Sequence, residues 1–252
     1  MLSHFIFASG GNDSVALVQW AHEKGLRDVA VVYSNTGWAA DFWPARMEKF
    51  AAFVASRGFQ FVEIASEGML NLVDRKKAWP ANSPKFCTYE LKILPAQAWM
   101  DTVDPDKEAI CLVGVRREES DARANWPEHV ADSENHGGRD LWSPLVRHLE
   151  AERNALIERA GMELLPYRSK ECFPCVNANR ADLRLLAEHP ERVRLIAAKE
   201  ASMGPKRSMF RPHRFHNAVG IEQVVSWAKY SPGQYIAGQG DLLDCGSGMC
   251  GA

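Results

Sequence analysis

The cysteines are the residues of this sequence with the most distinctive chemistry. Cys172 and Cys175 are three positions apart, a spacing at which one turn brings both sulfurs to the same side. Taken alone, the pair has three interpretations: half of a metal site, a redox dithiol, or two unrelated thiols. Cys111 lies in an apolar run and is predicted to be a buried core thiol. The other cysteines have polar or glycine-rich neighbours and are Cys87, Cys245 and Cys250.

A second group of residues could bind an anion. The segment from Ser9 to Ser14 stands between a short apolar run and an amphipathic stretch, which predicts a strand-to-helix turn. Its two glycines permit tight backbone turns, so that several N–H groups can face one anion at the positive end of the helix. An ordinary turn capped by Asp13 or Ser14 is the alternative. The residues of this segment are Ser9, Gly10, Gly11, Asn12, Asp13 and Ser14.

The composition limits the classes of protein to consider. The chain has 252 residues, of which 46% are hydrophobic and 25% charged, as in ordinary globular proteins. With 30 basic and 32 acidic residues the formal net charge is −2, so no global positive field attracts nucleic acid. The apolar runs are too short to span a bilayer and the N-terminus lacks the pattern of a signal peptide, so we expect a cytoplasmic protein with no membrane partner. A local basic cluster extends from Lys206 to Arg214.

The elements that must position these residues alternate along the first part of the chain. Apolar runs predict strands at 4–8, 28–33, 59–64 and 108–115. Helical spacing of apolar residues predicts helices at 15–24, 42–57, 89–100, 149–160, 180–189, 191–203 and 221–229. We therefore predict an α/β fold with a doubly wound, mostly parallel sheet, followed by a mainly helical C-terminal region with a cysteine-bearing tail. The predicted domains are residues 1–147 and 148–252.

Several segments resemble those of one group of enzymes. Ser9–Ser14 resembles the SGGxDS phosphate loop of the PP-loop, or adenine-nucleotide α-hydrolase, superfamily. That resemblance implies an adenine-nucleotide α-hydrolase-like fold and a site for the phosphate or sulfate of an adenylyl nucleotide. Segments 86–95 and 114–123 resemble stretches of the phosphoadenylyl-sulfate (PAPS) and adenylyl-sulfate (APS) reductases of that superfamily. A W-x-P-L stretch at 142–145, followed by the cysteine pair, is similar to the same reductases.

The resemblance also implies nucleotide-binding residues outside the loop. The end of the second strand looks like the DTG segment that holds adenosine in the family, with Asn35 in place of the usual aspartate. Lys92 would be a phosphate or sulfonate ligand, and Arg116 and Arg123 would clamp anionic oxygens. The implied residues are Asn35, Thr36, Gly37, Lys92, Gly114, Arg116, Glu119, Ser120 and Arg123.

For the cysteines the resemblance leaves two arrangements. In the first, a [4Fe–4S] cluster is ligated as in APS reductases, which use a cysteine doublet and a later C-x-x-C, although Thr88 stands where the doublet's second cysteine would be. The ligands are then Cys87, Cys172, Cys175 and Cys250. Cys245, in a segment like the Glu-Cys-Gly of the reductases, is then the catalytic nucleophile. In the second arrangement, one site for zinc or iron–sulfur is formed by Cys172, Cys175, Cys245 and Cys250.

The leading interpretation is a PAPS or APS reductase in which Cys245 attacks the sulfate of the nucleotide and sulfite is released, with a thiol electron donor such as thioredoxin or glutaredoxin. The complete phosphate loop favours an alternative, an enzyme that splits ATP with Mg²⁺ and thiolates a nucleic acid or a small molecule. The basic cluster at 206–214 would suit a nucleic-acid strand. A third alternative is a nucleotide-sensing module with a structural metal. For the oligomeric state, the sequence allows a homo-oligomer.

Overall fold

The chain divides into two compact units. The structure, a computed structural model, describes residues 2–81, 83–204, 207–210 and 218–230. One unit consists of Met1–Met69 and Thr88–Cys172, and the other of Leu70–Cys87 and Phe173–Ala252. The predicted catalytic and ligand residues Cys245 and Cys250 lie outside the described residues. So do most residues of the basic cluster, of which the structure describes 207–210.

The first unit is built around a six-stranded sheet. Its strands are β1 (His4–Phe7), β2 (Val29–Asn35), β3 (Gln60–Ala65), β4 (Ile110–Val113), β5 (His129–Ser133) and β6 (Arg139–Trp142). They lie in the order β3-β2-β1-β4-β6-β5, in which β5 runs antiparallel to β6 and the other neighbours are parallel. Phe5 and Ile6 point to opposite faces of β1 and are both fully buried, so both faces of the sheet are covered. The predicted doubly wound, mostly parallel α/β sheet is therefore confirmed.

Helices follow most of the strands. They are α1 (Asn12–Glu23), α2 (Trp43–Ser56), α3 (Met69–Lys76), α4 (Phe86–Thr88), α5 (Leu94–Val103), α6 (Glu150–Ala160), α7 (Arg180–Leu186), α8 (Pro190–Met203) and α9 (Ile221–Lys229). In the first unit α5 packs against β2 and β3, and α1 packs against α6. Between α4 and α5, residues Tyr89–Ile93 form a π-helical turn.

A core cluster in the first unit includes the isolated cysteine. Cys111 packs with Phe5, Ala30, Met100 and Leu141, and its side chain is fully buried. Burial raises the pKa of the Cys111 thiol to about 12. The thiol therefore stays protonated and unreactive at neutral pH, which confirms the prediction of a core residue.

The second unit is mainly helical in its described part. There α7 contacts α8 and α9, and α8 contacts α9. α9 buries one face formed by Ile221, Val224, Val225 and Ala228, a spacing typical of an amphipathic helix. The predicted helical character of the C-terminal region is therefore confirmed. No helix within the described ranges is long and apolar enough to cross a membrane.

Candidate functional site

The site lies at the edge of the sheet where the parallel strands end. From β1 the chain continues to β2 and β3 on one side, whereas β4 lies on the other side of β1. Open α/β sheets bind ligands in the crevice at such a reversal of strand order. A cavity of about 370 Å³ is found there, and its wall includes Ala8 and Ser9 after β1 and Gly114 and Val115 after β4. Its volume is suited to a small molecule.

The cavity brings together predicted residues that are far apart in the sequence. They come from the loop after β1, from the π-helical turn before α5, and from the segment after β4. The predicted residues that line the cavity are Ser9, Asp13, Ser14, Lys92, Gly114, Glu119 and Arg123. This clustering is what the resemblance implies for a nucleotide site, and their roles stay predictions.

The loop from Ser9 to Ser14 is tightly packed around its two glycines. Gly10 has a φ of +72°, and a Cβ there would lie 2.5 Å from the Sδ atom of Met47. Gly11 precedes α1 in an extended conformation, and a Cβ there would lie 3.1 Å from the Cβ of Ser169. As the N-cap, glycine supplies no side-chain acceptor, which leaves the first N–H groups of α1 for an anion.

Two further contacts hold the loop in place. The amide of Asn12 donates to the carbonyl of Leu165 at 2.9 Å and accepts from its N–H at 3.0 Å. The backbone N–H of Ser9 donates to the Oγ of Ser14 at 2.9 Å. The Asn12 side chain is therefore used in anchoring the loop, so a contact from Asn12 to a ligand would come through its backbone.

Each predicted arginine has a carboxylate partner. The Nε of Arg116 lies 2.7 Å from Asp13, its Nη1 lies 3.0 Å from Glu118, and its side chain is only 5% exposed. Arg123 pairs with Glu119, and burial lowers the pKa of Arg123 from its usual value. Arg116 therefore also ties the segment after β4 to the loop. A phosphate would compete with these carboxylates for the guanidinium groups.

Lys92 belongs to a partly buried polar cluster. Its ammonium group pairs with the Oε2 of Glu171, a side chain that is 4% exposed. The other oxygen of Glu171 accepts a hydrogen bond from the Oγ1 of Thr36 at 2.8 Å. The thiol of Cys172 donates to Oε2 at 3.3 Å. Burial, with a smaller contribution from Glu171, raises the pKa of Tyr33 above its usual value.

The π-helical turn at Tyr89–Ile93 sets the position of the Lys92 side chain. Its closing hydrogen bond runs from the backbone N–H of Leu94 to the carbonyl of Tyr89, five residues back. Such turns occur frequently at functional sites, because the extra residue shifts the side chains relative to an α-helix. Here the shifted turn presents Lys92 in the cavity wall.

Asn35, the last residue of β2, uses its side-chain amide in two hydrogen bonds. The Nδ2 of Asn35 donates to a carboxylate oxygen of Glu63 at 2.7 Å, and its Oδ1 accepts from the N–H of Gly37 at 2.9 Å. An aspartate could accept from Gly37 but could not donate to Glu63. Asn35 therefore suits this turn, and Ser34 beside it lines the cavity.

In the segment after β4, the backbone carbonyl of Ser120 accepts a hydrogen bond from the N–H of Arg123 at 2.8 Å.

Of the cysteines predicted as ligands, the structure describes Cys87, Cys172 and Cys175, and these do not form a complete site. Cys175 accepts a hydrogen bond from the N–H of Asn177 at 3.5 Å, a type of bond that stabilises metal-bound sulfur. Cys87 is half-buried in α4. Within the ranges that the structure describes, no group of three or more His, Cys, Asp and Glu could hold a metal. Both arrangements of the cysteines stay predictions, because each requires Cys250.

If the cysteine pair ligates a metal, Cys172→Ser is expected to remove it. A hydroxyl replaces a thiolate ligand, and a site with one ligand fewer binds metal far more weakly. Iron, zinc and acid-labile sulfide would be measured in protein purified without oxygen. Cys111→Ala is the matched control and should keep the metal, because Cys111 lies in the core. Equal metal content in wild type and Cys172→Ser would contradict the ligand assignment.

Some polar residues of the cavity wall are not predicted from the sequence. They are Ser34, Asn135, His136 and Glu171. Glu171 could have been noticed as an acidic neighbour of Cys172. His136 gives no signal in the sequence, because it follows an edge strand whose pattern is not apolar.

The fold and site together define a doubly wound α/β protein with a cavity lined by charged and apolar side chains at the topological switch point of its sheet. No protein-family model matches the chain. An uncharacterized 37.8 kDa protein in the gpa 5′ region of Escherichia phage 186 is 26% identical over 182 residues, which cover 64% of this chain. The chain spans about half the length of this curated relative, 53%.

Solved structures show a more distant similarity. A PAPS reductase from Candida auris in a phosphate complex has a TM-score of 0.46 at 13% identity, covering 65% of this chain and 75% of that one. A U34-tRNA thiolase from Methanococcus maripaludis with its [4Fe–4S] cluster has a TM-score of 0.47 at 12% identity, covering 80% and 70%. An NH3-dependent NAD synthetase from Campylobacter jejuni has a TM-score of 0.42 at 13% identity, covering 80% of each chain. At these TM-scores the similarities assign neither family nor function.

Proposed function

We propose that this chain is an enzyme of the PP-loop superfamily that binds an adenylyl nucleotide in the 370 Å³ cavity. The observation that carries the proposal is the loop from Ser9 to Ser14. It resembles the superfamily's phosphate loop, and it leads from β1 into α1 at the topological switch point. Backbone N–H groups and the positive end of α1 favour an anion there.

The charged residues of the cavity wall would complete the anion site. Lys92 and Arg123 line the same cavity as Ser9 and Ser14, and each has a carboxylate partner. A phosphate or sulfate oxygen would compete with Glu171 for Lys92 and could form a charge-assisted hydrogen bond with its ammonium group. The carboxylates would hold the two cations in position before the nucleotide arrives.

The reaction proposed first is the reduction of an adenylyl sulfate. The thiolate of Cys245 attacks the sulfur of the nucleotide, a sulfur–sulfur bond forms, and the sulfur–oxygen bond to AMP (or its 3′-phosphate) breaks. A second thiol attacks the sulfur of Cys245, which releases sulfite and leaves a disulfide. A thiol donor of the thioredoxin or glutaredoxin class then reduces that disulfide. The electrons for the reduction therefore come from the thiols.

A second candidate, ATP-dependent thiolation, is favoured by the completeness of the loop pattern. The superfamily's loop pattern is complete in this chain, and neither Gly10 nor Gly11 leaves ordinary space for a Cβ. A complete loop suits the splitting of ATP into an adenylated substrate and pyrophosphate. Mg²⁺, when bound, would neutralise charge on the phosphates. The substrate would be a nucleic acid or a small molecule, as the resemblance leaves open.

One set of assays tests the proposal and separates the two candidates. The full chain, purified without oxygen, is incubated with γ-labelled ATP and Mg²⁺, and separately with APS or PAPS and a reduced thiol donor. Sulfite and AMP, or its 3′-phosphate, from the second incubation would support reduction. Pyrophosphate from the first would support thiolation. Nucleotide binding without sulfite from APS or PAPS would contradict the reduction.

A further inference from the structure

An arginine that the proposed chemistry does not use contacts the loop from Ser9 to Ser14 from the protein interior. Arg46 belongs to α2, and it is only 7% exposed. Its Nε donates to the carbonyl of Gly10 at 3.2 Å, and its Nη2 donates to the carbonyl of Glu163 at 3.1 Å. Met47, the next residue of α2, packs against Gly10 as described above. The helix α2 therefore supports the loop at Gly10, and Arg46 brings a charge to that contact.

Arg46 differs from the other cations of the site in its partners. Lys92, Arg116 and Arg123 each pair with a carboxylate. Among the residues that the structure describes, no carboxylate forms an ion pair with Arg46, and its hydrogen bonds go to backbone carbonyls. Burial lowers the pKa of Arg46 from its usual value, and the charge of Glu163 offsets part of this effect. The guanidinium stays protonated at neutral pH, so the interior beside the loop holds a positive charge.

This buried charge would be stabilised by an anion on the loop. A buried ion normally has a partner of opposite charge, because its removal from water is unfavourable. The carbonyls of Gly10 and Glu163 solvate the guanidinium but do not neutralise it. Because Arg46 contacts the backbone of the loop directly, an anion bound to that backbone would be close enough to interact with its charge. In the protein interior such an interaction is stronger than in water.

The hydrogen bond to Gly10 also orients a backbone donor. In a trans peptide the carbonyl and the following N–H point in opposite directions, so the N–H of Gly11 points away from Arg46. Within the described part of the chain, this N–H donates no hydrogen bond. A carbonyl that accepts from a cation polarises its peptide, which strengthens the N–H as a donor. The peptide between Gly10 and Gly11 can therefore transmit the charge of Arg46 to an anion on the other side of the loop.

We infer that Arg46 is a positioning residue for the phosphate end of the nucleotide. It orients the peptide between Gly10 and Gly11, places a positive charge behind it, and acts on the phosphate through the N–H of Gly11 without touching the ligand. This inference deepens the proposed function and rests on it. It requires that the charge of Arg46, as well as its hydrogen bond, sets the affinity for phosphate groups.

The test compares two substitutions that both keep a hydrogen-bond donor at this position. Arg46→Lys keeps the charge, and Arg46→Gln removes it. The full chain is titrated calorimetrically with inorganic pyrophosphate, ATP and adenosine. We expect Arg46→Gln to weaken the binding of pyrophosphate and ATP by about tenfold, and Arg46→Lys by no more than about threefold. Adenosine has no phosphate, so its affinity should be the same in both variants as in wild type.

Arg57→Gln is the matched control. Arg57 lies at the other end of α2, where its Nε donates to the side chain of Gln19 at 2.9 Å and its Nη2 to the carbonyl of Ala160 at 3.3 Å. The control therefore loses a similar set of hydrogen bonds away from the loop. Its affinities for all three ligands should equal those of wild type.

The outcomes separate this inference from the proposed function. If wild type binds pyrophosphate and ATP, and Arg46→Gln binds them as tightly as Arg57→Gln does, the inference is overturned and the proposed function stands. Equal losses in Arg46→Lys and Arg46→Gln, or an equal loss of adenosine and pyrophosphate binding, would overturn it too, because general damage to the loop would explain them. If wild type binds none of ATP, APS, PAPS and pyrophosphate, the proposed function is overturned as well.

If Arg46→Gln does not fold, a measurement on wild type takes its place. In isotope-labelled protein observed by NMR, the Nε–H resonance of Arg46 should shift when pyrophosphate is added, because the anion acts on the peptide to which Nε donates. The Nε–H resonance of Arg57 should stay in place. An Arg46 resonance that does not move when pyrophosphate binds would overturn the inference.

Discussion

Gly10→Ala is expected to weaken the binding of ATP or pyrophosphate by more than tenfold and to lower the free energy of unfolding by about 2–5 kcal/mol. The backbone at Gly10 has a φ of +72°, which costs a residue with a Cβ about 1–2 kcal/mol. The new methyl group would also lie 2.5 Å from the sulfur of Met47, a buried side chain on α2. Relieving that overlap costs a further 1–3 kcal/mol, roughly, and shifts the loop whose N–H groups would face the phosphate.

Gly25→Ala is the matched control for this prediction. Gly25 has a φ of +70°, almost the same as Gly10, and no atom lies within 4 Å of a Cβ placed there. In Gly25→Ala only the backbone conformation is unfavourable, so the free energy of unfolding should fall by about 1–2 kcal/mol. The affinity for ATP or pyrophosphate should stay unchanged. Chemical denaturation gives the stabilities and calorimetry the affinities. Nucleotide affinity in Gly10→Ala equal to that in Gly25→Ala would show that the loop does not bind the nucleotide.

Lys92→Met is expected to lower both stability and nucleotide affinity, each for a separate reason. It removes the cation that pairs with Glu171, whose carboxylate is 4% exposed. The Lys92 side chain is 35% exposed, so the pair is only partly buried, and leaving the carboxylate unpaired costs about 1–3 kcal/mol. If Lys92 also binds the phosphate or sulfate, the loss of a charge-assisted hydrogen bond weakens nucleotide binding by roughly tenfold or more.

A second substitution separates the two effects. In Lys92→Met combined with Glu171→Gln, no unpaired charge remains, and the amide can still accept from Thr36. Stability should return to near the wild-type value while nucleotide affinity stays low. Lys199→Met is the control, because it removes an ion pair with Asp74, a residue that is 56% exposed, and should cost about 0–1 kcal/mol. Full recovery of affinity in the double variant would assign Lys92 a purely structural role.

The sheet illustrates which elements a sequence reveals. β1, β2 and β4 are predicted because their runs are nearly continuously apolar, as strands buried on both faces require. β3, an edge strand with no fully buried residue, is predicted from a mixed run of apolar and polar residues. β5 and β6 are not predicted. Arg139 occupies an inward position of β6, where it is fully buried against Asp101 and Asp104. A buried charge satisfied by distant carboxylates interrupts the apolar pattern, so the strand cannot be recognised from local composition.

The sequence by itself determined the features that depend only on neighbouring residues. The glycines of the loop, the spacing of Cys172 and Cys175 and the alternation of strands and helices all depend on neighbours within a few positions. Only the tertiary structure decided which charges meet. Glu171 pairs with Lys92 across 79 positions of the chain, and His136 reaches the cavity from a turn beyond an edge strand. Such contacts depend on how the sheet orders its strands, and no local propensity encodes that order.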